Sequence, residues 1–435
     1  MAQFYKPQSR ATKPQRLTEQ QVVGLDHQGR GIIRTATGVR FVPGALPTER
    51  VTITVQGKHD AQLERVQTTS KQRVTPLCAF YEQCGGCDLQ HLALSAQREH
   101  KQQVVAEILA KFGQVEAQQW LEPLAGDDWH YRRRARLAVH YDAKRQQFKM
   151  GFRAPKSKRI TVIDACVVLA ENLNRLIPPL QLLLPQLELV KQLGHVELIE
   201  FEHQVVVLLR LREWPNESDQ KQLQQFAAHY EVAVWCDTEQ QLAPLTASNP
   251  LSYRTVGASI NCSPTNFMQA HRQLSEKMVE QALTWLDIQP NDKILELYAG
   301  SGNFSLPMAL AGAQVTAIEG VASMVEQLKA NAHNAQLSIA AFCTDLEQPW
   351  SRQAWSQEQF TKVLLDPARA GAPQAIKEVA TRQPQKIVYV SCAPDTLARD
   401  AKVLKDNGYT LKQAQVVDMF PQTHHIEVIT LFERE

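Results

Sequence analysis

No run in this chain of 435 residues is apolar enough for long enough to cross a bilayer. The strongest, Val205 to Leu209, is broken by Arg210, whereas a membrane helix requires ~18 apolar residues in succession. An N-terminal apolar core is missing too, so no secretory leader and no membrane partner are expected, and the cytoplasm is the expected compartment. Internal repeats and low-complexity tracts are also lacking, which excludes a solenoid. There is little excess of either charge, the formal net charge being +2. That balance hides an uneven distribution. Between Tyr131 and Arg159 stand eleven Lys or Arg against one acid, Asp142, and the first sixteen residues carry four cations and no acid. Such clusters point to a polyanion contact or to a solvated face, and charge alone does not choose between them.

What is present divides the chain into parts. Residues 1–14 are expected to be a disordered basic tail. Residues 15–70 read as short β segments punctuated by turn glycines (QVVGLDHQGRGIIR, GVRFVPGALP, RVTITVQGKHD), with the alternation of a half-buried strand over Val51–Val55. About fifty residues of this pattern suit a small barrel of the oligonucleotide-binding kind. Residues 71–262 mix strands, among them KRITVIDACVVL with Cys166, with polar helices, including a helix over Ser95 to Phe112, as an α+β domain would. From 263 to 435 apolar strands alternate with helices: KILELYAGSG, AQVTAIEG, LSIAAFCTD, TKVLLDPAR, KIVYVSCAPD and HHIEVITLF. That alternation predicts a mostly parallel, doubly wound α/β sheet. A helix before it, running to about Asp287, places Leu274, Met278, Ala282 and Trp285 near helical spacing.

In such sheets ligands sit beyond the carboxyl ends of the strands. Five successive strands here end in Gly300-Ser301-Gly302-Asn303, Glu319, Asp345, Asp366 and Cys392, which predicts one polar rim. The glycine turn lacks the third glycine of a dinucleotide loop, since Ser305 stands where it would be, so a smaller nucleoside cofactor is favoured. Glu319, seventeen residues beyond Gly302, is placed to accept from ribose hydroxyls. Its plainer reading is a solvated helix start. Cys392 is a candidate nucleophile, although a cysteine at a strand end is more often an inert small hydrophobe. Glu427 is a candidate base or an exposed edge-strand carboxylate. Asp366 orients a cofactor or base, or simply caps a helix ahead of Pro367.

Three of the eight cysteines, Cys78, Cys84 and Cys87, follow C-x5-C-x2-C, with Cys166 as the best fourth ligand. In a chain expected in the cytoplasm this pattern points to metal rather than disulfide. The spacing leans to iron–sulfur, with zinc still open.

Taken together, GLDHQGRGI with FVPGALP, CAFYEQCGGC with DAC, SPTNFMQ, LELYAGSGNFSL, LLDPARAG, VYVSCAPDTLARD and PQTHHIE resemble bacterial RNA uridine C5-methyltransferases. The likeness runs from about Arg16 to the end and is to the large-subunit (23S) rRNA branch. It implies three parts: a C-terminal Rossmann-like S-adenosylmethionine-dependent domain, an N-terminal OB-like TRAM barrel, and a central α+β domain bearing a [4Fe–4S] cluster. The same resemblance implies Cys392 as nucleophile at uracil C6 and Glu427 as the base that takes the C5 proton. Cofactor contacts from Gln269, Tyr298, Asn303, Glu319, Asp345 and Asp366 are implied as well, as is a cluster held by Cys78, Cys84, Cys87 and Cys166. A nucleophile is needed because C5 of uracil is a poor one until a thiolate adds at C6. The expected partner is ribosomal RNA and the expected state a monomer. Rival expectations are a uridine elsewhere in rRNA or in tRNA, or a noncatalytic RNA-binding factor. Two residues depart from the family pattern: Thr48, where glycine is usual, and Asp345, where relatives often carry Asn.

Overall fold

The structure is a computed structural model that describes residues 15–434; the expected basic tail, 1–14, lies outside them. The chain divides into two compact units, one of residues 15–76, 88–100 and 422–424, the other of the remaining described residues.

The first unit is built on strands β1 (Arg16–Leu25), β2 (Gly31–Thr35), β3 (Gly38–Val42), β4 (Arg50–Val55) and β5 (Ala61–Thr68), ordered β3-β2-β1-β4-β5. β1 is long and irregular in register on both sides, so one strand pairs with β2 and with β4. Inward residues Val22, Ile33, Val42, Val51 and Ile53 form a small core. β3 and β5 approach through a single bridge, Phe41–Asp60, rather than a ladder. Thr48 sits at φ 72°, the left-handed region where glycine is favoured. The next residue anchors that loop: Glu49 is buried and accepts from Leu46 N (2.8 Å), Ser70 N (3.2 Å) and the Arg73 guanidinium (2.6 and 2.8 Å).

The expected helix after the cysteines is α1 (Leu94–Ile108), which ends in a π-turn over Leu109–Gly113. A short strand, β6 (Gln119–Trp120), follows it. Strands β7 (Arg134–Asp142), β8 (Gln147–Arg153), β9 (Ile160–Val162), β10 (His195–Glu200), β11 (Val205–Arg210), β12 (Ala233–Asp237) and β13 (Leu242–Pro244) make a seven-stranded sheet, ordered β13-β12-β11-β10-β7-β8-β9. One of its faces buries Leu137, Leu198, Val207, Leu209 and Val234 beneath α2 (Glu171–Asn174), α3 (Ile177–Leu183) and α4 (Glu217–Tyr230). The strand expected to carry Cys166 stops at Val162; Cys166 lies on the turn beyond, its amide donating to Asn174 Oδ1 at 2.7 Å. A hairpin, β14 (Ser252–Thr255) and β15 (Ala258–Asn261), precedes α5 (Arg272–Leu286), which buries Leu274, Met278, Ala282 and Trp285 as its periodicity predicts.

The last third contains β16 (Lys293–Leu297), α6 (Ser305–Leu310), β17 (Gln314–Glu319), α7 (Ala322–Asn334), β18 (Ile339–Cys343), β19 (Lys362–Leu365), α8 (Ala375–Arg382), β20 (Lys386–Ser391), α9 (Pro394–Asp406), β21 (Tyr409–Val417) and β22 (Glu427–Arg434). Its sheet runs β18-β17-β16-β19-β20-β22-β21-β6, with β16 to β20 mutually parallel and β22 antiparallel between β20 and β21. The strands are continuous apolar runs because both faces are covered. In β20, Ile387 and Tyr389 enter one core while Val388 and Val390 enter the other. Each fully buried side chain of this kind contributes roughly 1.5–3 kcal/mol. Among the described residues no helix is long and apolar enough to cross a membrane.

Candidate active site at the strand ends

Parallel pairing of β16 to β20 brings the five polar strand ends to one edge, as the order of the sequence predicts. The turn after β16 is conformationally demanding. Tyr298, Gly300 and Gly302 have φ of 64°, 56° and 103°, and a Cβ on Gly302 would lie 2.6 Å from Leu306 Cδ1. Glu319, at the end of β17, accepts from Gly300 N (3.0 Å) and Val321 N (2.9 Å), so its carboxylate is fixed to the turn. Asn303 Oδ1 and Ser301 Oγ are buried with no hydrogen-bond partner among the described residues. Buried polar atoms are normally paired, and such orphans suit a polar ligand such as the amino-acid end of a nucleoside cofactor. Asp345, past β18, is exposed and accepts from Glu347 N at 3.0 Å. The Tyr298 hydroxyl is buried toward Glu347 and Asp400, and burial together with those charges pushes its pKa up.

The thiol and carboxyls converge farther along the edge. The antiparallel register pairs Val390 with Ile429 and Ser391 with Val428, so the next pair in line is Cys392 and Glu427. Cys392 is only partly buried, not sealed in core. Burial pushes its thiol up to about 11, with Glu427 and Asp366 adding to the rise and Arg369 opposing it. Glu427 is 4% exposed on an interior strand, which removes the edge-strand reading. Burial and the charge of Asp366 hold its pKa well above the usual carboxylate range. Asp366 caps no helix, since the next begins at Ala375, and burial lifts it to about 7. A further acid belongs to this group and was missed by sequence reasoning. Glu296, buried in β16 and bonded to the Ser305 hydroxyl, is raised to about 8 by burial, then by Asp366 and Glu319. Its signal was a lone acid in the run KILEL. Chemically, the group offers a carboxyl of raised pKa near a partly accessible sulfur on the edge that bears the glycine turn.

Gln269 is buried on the segment before α5. That segment is stapled by arginines from the start of β7. Arg133 Nε donates to Gln269 O (2.8 Å), Arg133 N to Ala270 O (3.0 Å), and Arg134 Nη1 to Asn266 O (2.7 Å).

Three of the four cysteines, Cys78, Cys84 and Cys166, lie near one another but do not make a formed metal site. Cys84 lies near enough to Cys78 and Cys166 that their charges add to the rise burial causes in its pKa, and its sulfur accepts from Gly86 N at 3.4 Å. Each of the four is partly buried. Among the described residues, however, no group of His, Cys, Asp or Glu is arranged to hold a metal ion. The expected ligand set is therefore not carried by the geometry.

Comparison with known proteins adds the following. Residues 93–435 match a family described as tRNA (Uracil-5-)-methyltransferase. A protein of Shewanella sediminis named 23S rRNA (uracil(1939)-C(5))-methyltransferase RlmD is 42% identical over 441 residues, covering 100% of each chain. One of Shewanella woodyi with the same name is 42% identical over 442 residues, again covering 100% of each. Among solved structures, the Pyrococcus abyssi tRNA (uracil-54, C5)-methyltransferase, crystallised with S-adenosyl-L-homocysteine, superposes with a TM-score of 0.75. At 22% identity, covering 95% of this chain and 99% of that one, it shows a shared fold.

Proposed function

The chain belongs to the tRNA (uracil-5-)-methyltransferase family of S-adenosylmethionine-dependent enzymes, and from that premise we propose that it methylates C5 of one uridine in 23S rRNA. The carrying observation is the β20–β22 register, which sets a partly accessible Cys392 across from buried Glu427 on the rim that bears the glycine turn. In this reading Cys392 adds to uracil C6 and its proton leaves to a neighbouring base. The addition turns C5 into an enolate carbon. Bound S-adenosylmethionine supplies an electrophilic methyl group to that carbon. Glu427 then takes the C5 proton, and Cys392 is expelled from C6 with restoration of the double bond. A carboxyl raised by burial is a stronger base once ionised, which suits that proton transfer. Glu319, Asn303, Tyr298, Gln269, Asp345 and Asp366 would hold and orient the cofactor. The target base must be turned out of its stack, since its ring is reached from the face.

The three-part division at about 70 and 262 and the OB-like TRAM character of the five-stranded sheet belong to the same proposal, as do a cytoplasmic monomer and a [4Fe–4S] cluster on Cys78, Cys84, Cys87 and Cys166. Supporting the cluster are the proximity of the thiols and the Gly86 amide aimed at Cys84. Anaerobically purified protein should be brown, with iron and sulfide in near-equal amounts; stoichiometric zinc without sulfide overturns the cluster.

The full-length relatives favour rRNA, while the family description and the Pyrococcus fold neighbour keep a tRNA uridine as the second reading. Tritium release from C5-labelled uridine in 23S rRNA and in bulk tRNA separates them. Release from rRNA is expected. Release from tRNA alone moves the substrate, and release from neither leaves an RNA-binding factor without chemistry. Mapping the missing 5-methyluridine in rRNA from cells lacking the protein identifies the nucleotide.

A further inference from the structure

The seven-stranded sheet has a second face, and only part of it is covered. Ile199, Val206, Leu208 and Ala233 on that face pack into an apolar cluster with Tyr253 and Met268. Beyond the cluster the same face turns basic. The register sets Glu197 opposite Arg136 and His195 opposite Arg210, while Ala138 pairs with Gly151. Alternation along β7 and β8 therefore sends Arg134, Arg136, Lys149 and Arg153 to this side. These are four of the eleven cations between Tyr131 and Arg159.

Beneath them sits one carboxylate. Glu197, 3% exposed, accepts from Arg134 Nη2 (2.8 Å) and Arg210 Nε (3.2 Å) and lies 3.8 Å from Arg136 Nε. Three guanidiniums thus gather on this buried anion, Arg210 pairing also with Asp237 at 2.9 Å, and positive charge remains in excess on this face. Arg136 also lies 3.2 Å from His195 Nδ1, and Arg153 Nη1 is held by Lys158 O at 2.9 Å. Burial and the charges of Arg136 and Arg153 lower the pKa of His195, which leaves it able to accept from Arg136. Arg136, Arg153 and His195 line a cavity of about 460 Å³, floored by Ala138 and walled by the backbone of Gly85 and Gly86. A Cβ on Gly85 would lie 2.8 Å from Arg153 O, so that wall closes tightly only with glycine. Among the described residues no carboxylate lines this cavity.

We propose that this cavity seats a backbone phosphate of the RNA substrate, gripped by Arg136 and Arg153 and preorganised by Glu197. The inference rests on the RNA-methylating reading above and adds a contact surface to it. A paired, oriented guanidinium loses little freedom on binding a phosphate and presents two donors to it. Phosphate contacts of this type set register and affinity without reading sequence.

The test is RNA affinity against salt. With a 23S rRNA fragment that the wild-type protein methylates, R136Q/R153Q should bind roughly tenfold more weakly near 150 mM KCl, with KM for RNA rising in step. The slope of log affinity against log salt should become shallower by about 0.7 for each single-strand phosphate that the variant no longer neutralises. R136Q and R153Q alone should each give about half that change, and they carry the test should the pair not fold. S-adenosylmethionine binding and thermal midpoint report the fold. K329Q, on exposed α7, should alter none of these quantities. An unchanged affinity and slope in the folded variants overturns the site. If wild-type protein binds the RNA but releases no tritium, the methylation reading fails while the salt slope still decides whether this cavity holds phosphate.

Discussion

Glu197 and Glu427 expose almost equally little surface, 3% and 4%, yet their pKa values are displaced in opposite directions. Burial raises both. At Glu197 the hydrogen bond and charge of Arg134, with the charge of Arg210, outweigh burial and hold the carboxyl below its ordinary range. Glu427 has Asp366 for a neighbour, which adds to burial instead of opposing it. One region therefore spends its acid on fixing arginines. The other raises the pKa of its acids beside a thiol, an arrangement that costs stability and suits proton transfer. Low exposure alone does not determine what a carboxyl does; the depth of the protein around it and the sign of its neighbours do.

The largest expected effect is at the thiol. C392A should lower methyl transfer by roughly 10⁴-fold or more while retaining cofactor binding, measured by tritium release and calorimetry. Retained turnover would remove the covalent route. E427Q should slow turnover by about 10²–10⁴-fold and let a covalent RNA adduct persist on denaturing gels, because addition and methylation precede proton removal. If no adduct forms, Glu427 is not the base.

Stability against pH separates the two kinds of acid further. Glu296 is raised from 4.5 to about 8, so between those values the folded protein holds a proton that the unfolded chain has released. Stability must fall as pH rises through this window. E296Q should remove that fall, gaining on wild type by a few kcal/mol between pH 5 and pH 8 in urea titrations. Parallel curves for the two proteins would contradict the shift. Glu197 has the reverse sign: its contribution is present above the unfolded pKa and is lost as pH falls through the folded one. E197Q should therefore cost about 2 kcal/mol at pH 7, discounted because its arginines are partly solvated, and progressively less in acid. A cost that does not shrink in acid would point to packing instead of charge.

The rim of strand ends was legible in advance because parallel α/β order is written in the alternation of apolar runs and helices. Cys392, Asp366 and Glu319 could be placed on it from strand order alone. Glu427 could not be separated from an exposed edge residue, since PQTHHIEVITLF does not say that β22 inserts between β20 and β21. Glu296 stayed hidden because a single acid in KILEL carries no periodicity of its own. Glu197 shares HVELIEF with Glu200, and nothing in that run says that only Glu197 meets arginines from neighbouring strands. Cys166 was assigned to a strand that stops at Val162, because its amide is taken by Asn174, a contact with no trace in local pattern.

Residue order was enough to establish the layered α/β architecture, the glycine turn and the basic stretch from 131 to 159, because those depend on local periodicity, backbone freedom and composition. Which carboxyls have raised pKa values, which arginines share an anion and which sulfur lies near a buried carboxyl depend on strand pairing. Those properties depend on distances between residues far apart in the chain, and electrostatic energy follows distance and burial, not sequence separation.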